Sequence, residues 1–446
     1  MNREIGIVIC NYNKKEYILN CIESVLNSQN ARFDVYVVDN ASTDGSAEAI
    51  SEKYGDRVTL LVNEENLGGA GGFDTGLLEV MKHDYKYYML MDNDIICDEY
   101  AVSKLYEFLE DSSNSDVGMV GSKVYFMDEP AKIWGYGGKI DFNDYVQKDM
   151  YKNRIDGSDI PEISYCDYVA ACSLMVRAEA VRKVGIMPRE NFIYWDDMEW
   201  GYRFNENGYK VAVYGASKIW HKAGGRNAGN TFIHYYMWRN RIRFFLKVLP
   251  LEKREVFADT LLSEMFRMIY SLNLKGETNV IKTLMHAYDD AVHGVSGKAG
   301  EGRILDRPPV PNRLSEAIGE GRSVLIRFNG NYEGLGNVVR NIEKISGEIK
   351  VTISTCDVPS EYETVRGQYP GNCVANDYNP SEFDLQLTMC EHIFKLTQDA
   401  VKDNYIDPWC NIIYSDDDFV YARSFEQTRK LFVLWGSEGI LKQESL

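Results

Sequence analysis

Four short apolar runs, residues 5–10, 35–38, 58–62 and 87–91, each end abruptly in a polar cluster. Runs of that length with almost no charge read as strands buried on both faces. Between the first two, Tyr17, Ile18, Cys21, Ile22, Val25 and Leu26 fall on one face of a 3.6-residue repeat, with Asn13 placed to cap that helix. Buried strands alternating with amphipathic helices fold into a mostly parallel α/β sheet, and ligands of such sheets bind beyond the carboxyl ends of the strands. The polar clusters stand there: Asn11 and Asn13, Asp39 and Asn40, Asn66 to Gly72, and Asp92 to Asp94.

The last cluster, Asp92-Asn93-Asp94, carries two carboxylates one residue apart. Residues i and i+2 of an extended backbone point the same way, so both acids can face one ligand. Two hard oxygen donors in an open crevice suit Mg²⁺ or Mn²⁺, with water and diphosphate oxygens filling the remaining positions. The loop Asn66-Leu67-Gly68-Gly69-Ala70-Gly71-Gly72-Phe73 opens a helix, and its glycines let the backbone approach a ligand closely. Its spacing, and its place after the third strand rather than the first, exclude the dinucleotide-binding fingerprint.

Further along, Trp195-Asp196-Asp197-Met198-Glu199-Trp200 sets three acids between two tryptophans. An indole face covers the apolar C–H groups of a sugar while acids take its hydroxyls, so Trp195, Asp196, Glu199 and Trp200 are expected to bind an acceptor. A carboxylate here can also act as general base toward an acceptor hydroxyl. An acidic helix start favoured by the macrodipole accounts for one or two of the acids and leaves the tryptophans unexplained. His221, after the strand-like residues 211–214, supplies a third donor that beside the two acids suits Mn²⁺.

At 446 residues the chain exceeds one ordinary domain. The expected division is a catalytic domain over 1–235, a helical extension over 236–300, and a smaller α/β domain over 301–446. Strand-like runs at 324–328, 349–354 and 372–375 support the last, and a Gly- and Pro-rich stretch at 294–311 reads as a linker. Aromatics interleave with arginines over 235–247, which suits either a membrane interface or a seam between catalytic domain and helices. Three roles stay open for the C-terminal region: dimerisation, acceptor binding, or tethering to a partner. Asp416-Asp417-Asp418 reads as a solvated acidic turn.

Forty-nine basic against 67 acidic residues give a formal charge of −18, which argues against nucleic acid as a partner. Nine scattered cysteines without a C-x-x-C pair, and a start without a signal peptide, imply a reducing cytoplasm. No apolar run approaches membrane-spanning length.

Taken in order, these segments resemble the inverting glycosyltransferases of family two, which share the GT-A fold. The resemblance runs over roughly residues 4–245. It is carried by Val8-Ile9-Cys10-Asn11-Tyr12-Asn13, Val38-Asp39-Asn40-Ala41-Ser42-Thr43-Asp44-Gly45, Asp92-Asn93-Asp94, Trp195-Asp196-Asp197 and His221. The glycine loop and the Trp-Asp-Asp-x-Glu string look most like bacterial galactofuranosyltransferases and their rhamnosyltransferase relatives. The resemblance implies that Asp39 contacts a pyrimidine base with Asn11 nearby, and that Asp92 lies by the ribose and the metal. By the same token Asp94 and His221 hold a divalent ion, and Asp197 is the catalytic base with Asp196 and Trp195 on the acceptor sugar. Asn13, Asn66, Gly69, Gly71, Gly72 and Asn93 would complete the nucleotide-sugar site. Asn93 is a departure, since galactofuranosyltransferases carry a third acid there.

The expected activity is metal-dependent, inverting transfer of a sugar from a nucleoside diphosphate to a lipid-linked or polymeric cell-surface glycan precursor. Galactofuranose is the favoured sugar and dTDP-rhamnose the alternative donor, at the cytoplasmic face of a membrane. A nucleotidyltransferase would want a basic Gly-rich loop straight after the first strand, where Asn11-Tyr12-Asn13 stands. A silent glycan-binding scaffold would not need the D-x-D acids, a base and His221 together.

Overall fold

Each of the four apolar runs is a strand: β1 (Ile5–Asn11), β2 (Phe33–Asp39), β3 (Thr59–Val62) and β4 (Tyr87–Asp92). The computed structural model describes residues 3–222, 229–308, 313–318, 323–393, 396, 403–414 and 420–443. Asp416, Asp417 and Asp418 lie outside the described residues. The four strands are parallel in the order β3-β2-β1-β4. Ile7, Val8 and Ile9, and likewise Tyr88, Met89, Leu90 and Met91, are fully buried. A strand covered on both faces requires the continuous apolar runs that the sequence shows.

Helices α1 (Lys15–Leu26), α2 (Ser46–Tyr54) and α3 (Gly68–Val80) make the crossovers. Ile18, Cys21, Ile22 and Val25 are the buried face of α1. Asn13 does not cap that helix. At φ +48° its Oδ1 accepts the Thr43 amide at 2.8 Å, and Lys14 holds the cap position without a side-chain bond.

Beyond β4 come β5 (Ile95–Cys97), α4 (Ala101–Glu110), β6 (Val117–Phe126), β7 (Ile133–Gly135) and the hairpin of β8 (Gly138–Asp141) and β9 (Val146–Asp149). After them follow β10 (Ile163–Cys166), β11 (Ser173–Arg177), α5 (Ala178–Val184), α6 (Asp196–Glu206) and β12 (Lys210–His221). The sheet order is β10-β12-β6-β11-β4-β1-β2-β3, with β5 on β12 and β7 on β6. Strand β11 is antiparallel to both neighbours, so the parallel half ends at β4.

Helices α7 (Phe232–Val248), α8 (Arg254–Leu274) and α9 (Thr278–Val292) form the helical segment. On α7, Tyr235, Tyr236, Arg239, Phe244 and Phe245 have at most 1% exposure. The aromatic–arginine run is therefore interior, which corrects the membrane-surface alternative. No helix among the described residues is long and apolar enough to cross a membrane. The glycine-rich residues after α9 are fastened to α7. The Ala299 amide donates to the Tyr236 hydroxyl at 2.8 Å, and Leu305 and Thr231 exchange hydrogen bonds of 2.8 and 2.9 Å.

The chain divides into two units, Met1–Arg254 with Thr283–Leu305 and Gln443–Leu446, and Glu255–Lys282 with Asp306–Lys442. The second has its own sheet of β13 (Ser323–Arg327), β14 (Lys350–Ser354), β15 (Cys373–Ala375), β16 (Leu385–Met389), β17 (Tyr405–Ile406) and β18 (Ile412–Ile413). These run in the order β15-β14-β13-β16-β17-β18, parallel as far as β17. The α/β class, the helical segment and the second α/β sheet are as the sequence led us to expect.

Candidate active site

Parallel register is what gathers the polar strand ends. Asn11 pairs with Asp39 across β1 and β2, and Cys10 pairs with Asp92 across β1 and β4. A chain of amides then crosses the three strands. Asn93 Nδ2 donates to Asn11 Oδ1 at 2.7 Å, and Asn11 Nδ2 donates to Asp39 Oδ1 at 2.9 Å. The other Asp39 oxygen accepts the Ser42 amide at 2.9 Å. This gives the asparagine at position 93 a physical account. An acid there would turn an acceptor toward the Asn11 carbonyl oxygen, whereas an amide completes the series.

The turn at Asp92-Asn93-Asp94 leads into β5, which pairs antiparallel with the end of β12 so that Ile95 faces His221. That pairing, not sequence proximity, brings the imidazole to the acids. His221 Nε2 lies 3.1 Å from Asp94 Oδ1 and 3.7 Å from Asp92 Oδ2. One donor atom from each residue lies within 4.8 Å of the others, the sole such group of three among the described residues. His221 Nδ1 is buried with no partner among the described residues, and the ring leans on Trp134 at 4.4 Å. Two carboxylates and an imidazole facing one point suit Mn²⁺ or Mg²⁺.

Sequence reasoning missed one further member. The Lys14 ammonium is hydrogen-bonded to Asp94 Oδ2. Eighty residues separate the two, and no local pattern announces the contact. His221 and Lys14 hold the Asp94 carboxyl below the usual carboxylate range against the effect of burial. Asp92 is pushed the other way, by burial and by the Asp94 charge.

The glycine loop closes a third side. The Asn40 side chain donates to Asn66 Oδ1 (3.1 Å) and to the Gly68 carbonyl (2.8 Å), and accepts from Asn63 Nδ2 (3.0 Å) and the Leu67 amide (3.1 Å). A Cβ on Gly72 would sit 2.2 Å from Cys10 Sγ, and one on Gly71 2.6 Å from Leu67 Cβ. Both glycines are needed for close approach to the protein itself. Gly69 is different: nothing lies within 4 Å of where its Cβ would be, so the loop is open there.

Asp197 lies in the first turn of α6, where its Oδ1 accepts the Met198 amide at 2.9 Å. Burial, then the neighbouring Asp196 charge, drive its carboxyl well above the ordinary range, and Asp92 adds to the effect. Asp196 is raised by burial and by Asp92 as well, so both acids of α6 lie within electrostatic reach of the D-x-D acid.

Three acceptor expectations need correction. Trp200 is fully buried, donates from Nε1 to the Gly185 carbonyl at 2.9 Å and meets Phe204 edge-on, so its indole belongs to the core. Trp195, also without exposure, packs against Phe244 and Phe245, with ring centres 5.2 and 5.7 Å away. Glu199 is taken up by Arg203 (2.5 Å), Lys247 (3.1 Å) and Asn191 (3.1 Å). A side chain closed off by neighbours presents no face or lone pair to a sugar.

Residues 6–173 match the family model described as Glycosyl transferase family 2. These residues are a glycosyl transferase family 2 domain. An uncharacterized glycosyltransferase of Haemophilus influenzae is 22% identical over 267 residues, 58% of this chain and 79% of that protein. Galactofuranosyltransferase GlfT2 of Mycolicibacterium smegmatis is 25% identical over 215 residues, covering 44% of this chain. The chain spans about a third of that relative's length, 32%. Among solved structures, a mannosyltransferase from Pyrobaculum calidifontis in complex with GDP-Man and Mn²⁺ aligns with a TM-score of 0.40 at 16% identity, over 55% of this chain and 64% of that one.

Proposed function

We propose that the family 2 domain catalyses metal-dependent, inverting transfer of a sugar from a nucleoside diphosphate to a hydroxyl of a cell-surface glycan precursor. The observation that carries this reading is the convergence of Asp92, Asp94 and His221 at the end of the parallel strands, with the acids of α6 in electrostatic reach of Asp92. Asn11 and Asp39, side by side in register, suit the base of the nucleotide. Asp92, Asp94 and His221 are the residues that would hold Mn²⁺ or Mg²⁺, and the ion when bound offsets diphosphate charge and stabilises the leaving group.

Asp197 is our candidate base. Its raised pKa makes it a stronger proton acceptor than an ordinary carboxylate. It takes the proton of the acceptor hydroxyl as that oxygen forms a bond to the anomeric carbon. The bond from that carbon to the diphosphate oxygen breaks on the opposite face, its electron pair leaving with the nucleoside diphosphate. One displacement inverts the centre, and no covalent sugar–enzyme bond is formed. Galactofuranose is the favoured sugar, on the strength of the GlfT2 relative and the glycine-loop and Trp-Asp-Asp-x-Glu motifs.

Thermal melting with UDP, dTDP, GDP and CMP, each with and without Mn²⁺, tests the reading, because a ligand that binds only the folded state raises the melting temperature. A Mn²⁺-dependent rise with UDP alone supports a UDP-sugar donor. A rise with dTDP alone moves the assignment to rhamnose. No rise with any of the four would overturn the donor site and favour a silent glycan-binding protein.

A further inference from the structure

We propose that Asn240 and Arg239 of α7 are positioning residues that clamp the loop ahead of α6 and so hold Asp197 where it can act. The proposal rests on Asp197 being the base. Phe192, Tyr194 and Trp195 all have left-handed backbone, with φ of 65°, 63° and 65°. Bulky L-residues avoid that region, so three of them within four positions persist only where surrounding contacts over-determine them.

One carboxamide binds the loop at three points around them. Asn240 Nδ2 faces the carbonyl oxygens of Asn191, Ile193 and Tyr194 at 2.8, 2.9 and 2.9 Å. Its orientation is fixed by chemistry, because Oδ1 accepts from Arg239 Nε at 3.0 Å and a guanidinium can only donate. Arg239 adds a bond to the Asn191 carbonyl at 3.2 Å and is itself tied to the Gly297 carbonyl at 2.8 Å. Its guanidinium lies 5.1 and 4.9 Å from the ring centres of Tyr235 and Tyr236. Neither side chain has any exposure.

The clamped loop has two outlets. The Trp195 carbonyl accepts the Glu199 amide at 2.9 Å, which starts α6 and sets Asp197 in its first turn. The Phe192 carbonyl accepts the Ala70 amide at 3.1 Å and comes so near Gly68 that a Cβ there would be 2.1 Å from it. One asparagine on a helix outside the matched family region thus registers the base against the glycine loop.

Asn240→Asp tests this, since it keeps the shape and the acceptor toward Arg239 but turns an oxygen toward three carbonyls. Amide exchange by mass spectrometry on the full chain is expected to quicken over residues 66–73 and 191–199 and to stay at the wild-type rate in the second unit's sheet. With UDP-galactofuranose as donor, kcat is expected to fall about a hundredfold, as for a misplaced catalytic group, while UDP–Mn²⁺ binding is retained. Arg239→Lys, which lacks the Nε donor, should quicken exchange over the same two segments and covers the case in which Asn240→Asp does not fold. Unchanged exchange in both segments, or a loss explained wholly by a smaller folded fraction, would overturn the clamp. Asp197→Asn separates the two ideas. If it retains transfer, the base assignment fails; if it abolishes transfer while the loop variants behave as wild type, the clamp alone fails.

Discussion

Gly72→Ala is the substitution whose cost the structure defines most sharply. The added methyl would lie 2.2 Å from Cys10 Sγ, more than an ångström inside ordinary contact, while the next atoms, Asn40 Nδ2 and Cys10 Cβ, stand at 3.5 Å. Overpacking of this kind costs about 1–3 kcal/mol, and so deep an overlap with a sulfur fixed on a central strand belongs at the upper end. Replacing a helical glycine by alanine returns about 1 kcal/mol. The net loss is about 2 kcal/mol, a fall of about 4–8 °C in the melting temperature of the first unit. Cys10→Ala deletes the sulfur and leaves Cys10 Cβ and Asn40 Nδ2 at an ordinary 3.5 Å, so the double variant should regain most of the loss. Melts of the wild type, both single variants and the double variant form a cycle whose coupling should be about 1–3 kcal/mol in the favourable direction. Strict additivity would refute the contact, and with it the view that Gly72 serves helix–strand approach.

Other outcomes follow from the same geometry. Asp197→Asn should abolish transfer and leave UDP binding intact; equal loss of both would remove Asp197 as base. Because the fold raises the Asp197 pKa, the folded state binds that proton more tightly than the unfolded chain, and this term favours folding at low pH and is lost as pH rises. The transfer rate should accordingly fall as pH drops through the raised pKa, and Asp197→Asn should melt above the wild type at alkaline pH with a margin that shrinks on acidification. A margin independent of pH would refute the shift. Lys14→Met removes the cation that shares Asp94, so Mn²⁺ titrated calorimetrically without nucleotide should bind more tightly; equal or weaker binding would count against competition. Trp200→Ala should cost about 3–5 kcal/mol of stability through the cavity left in the core. A change confined to acceptor KM, with normal melting, would restore Trp200 to the acceptor site.

The strands that carry the candidate site were legible because burial on both faces leaves an apolar run with polar ends, as at β1 and β4. The D-x-D acids were legible for the same reason, since register alone decides what stands at a strand end. The tryptophans of the Trp-Asp-Asp-x-Glu string were misread because an indole suits a sugar face and a protein core equally, and sequence carries no sign of what will cover it. Lys14 and Asn240 were invisible for another reason. Each acts through a contact made by tertiary packing, with Asp94 80 residues away in one case and with carbonyls 46–49 residues away in the other. The left-handed run at Phe192, Tyr194 and Trp195 gave no warning, because these residues are not the glycines or asparagines that usually occupy that region.

The amide series from Asn93 through Asn11 to Asp39 bears on any attempt to redesign the donor. Asp39 sits at the end proposed to read the base, and Asn93 lies between the two D-x-D acids. Replacing Asp39 to admit another nucleobase would leave Ser42 Oγ, at 3.3 Å, as the remaining acceptor of the Asn11 amide, and so loosen the carboxamide that receives the Asn93 donor beside the proposed metal ligands. On the proposed assignment, base selectivity and ion affinity are linked through two hydrogen bonds. On that assignment a library that varies position 39 alone is expected to weaken ion binding, whereas one that varies positions 11, 39 and 93 together can keep the series intact.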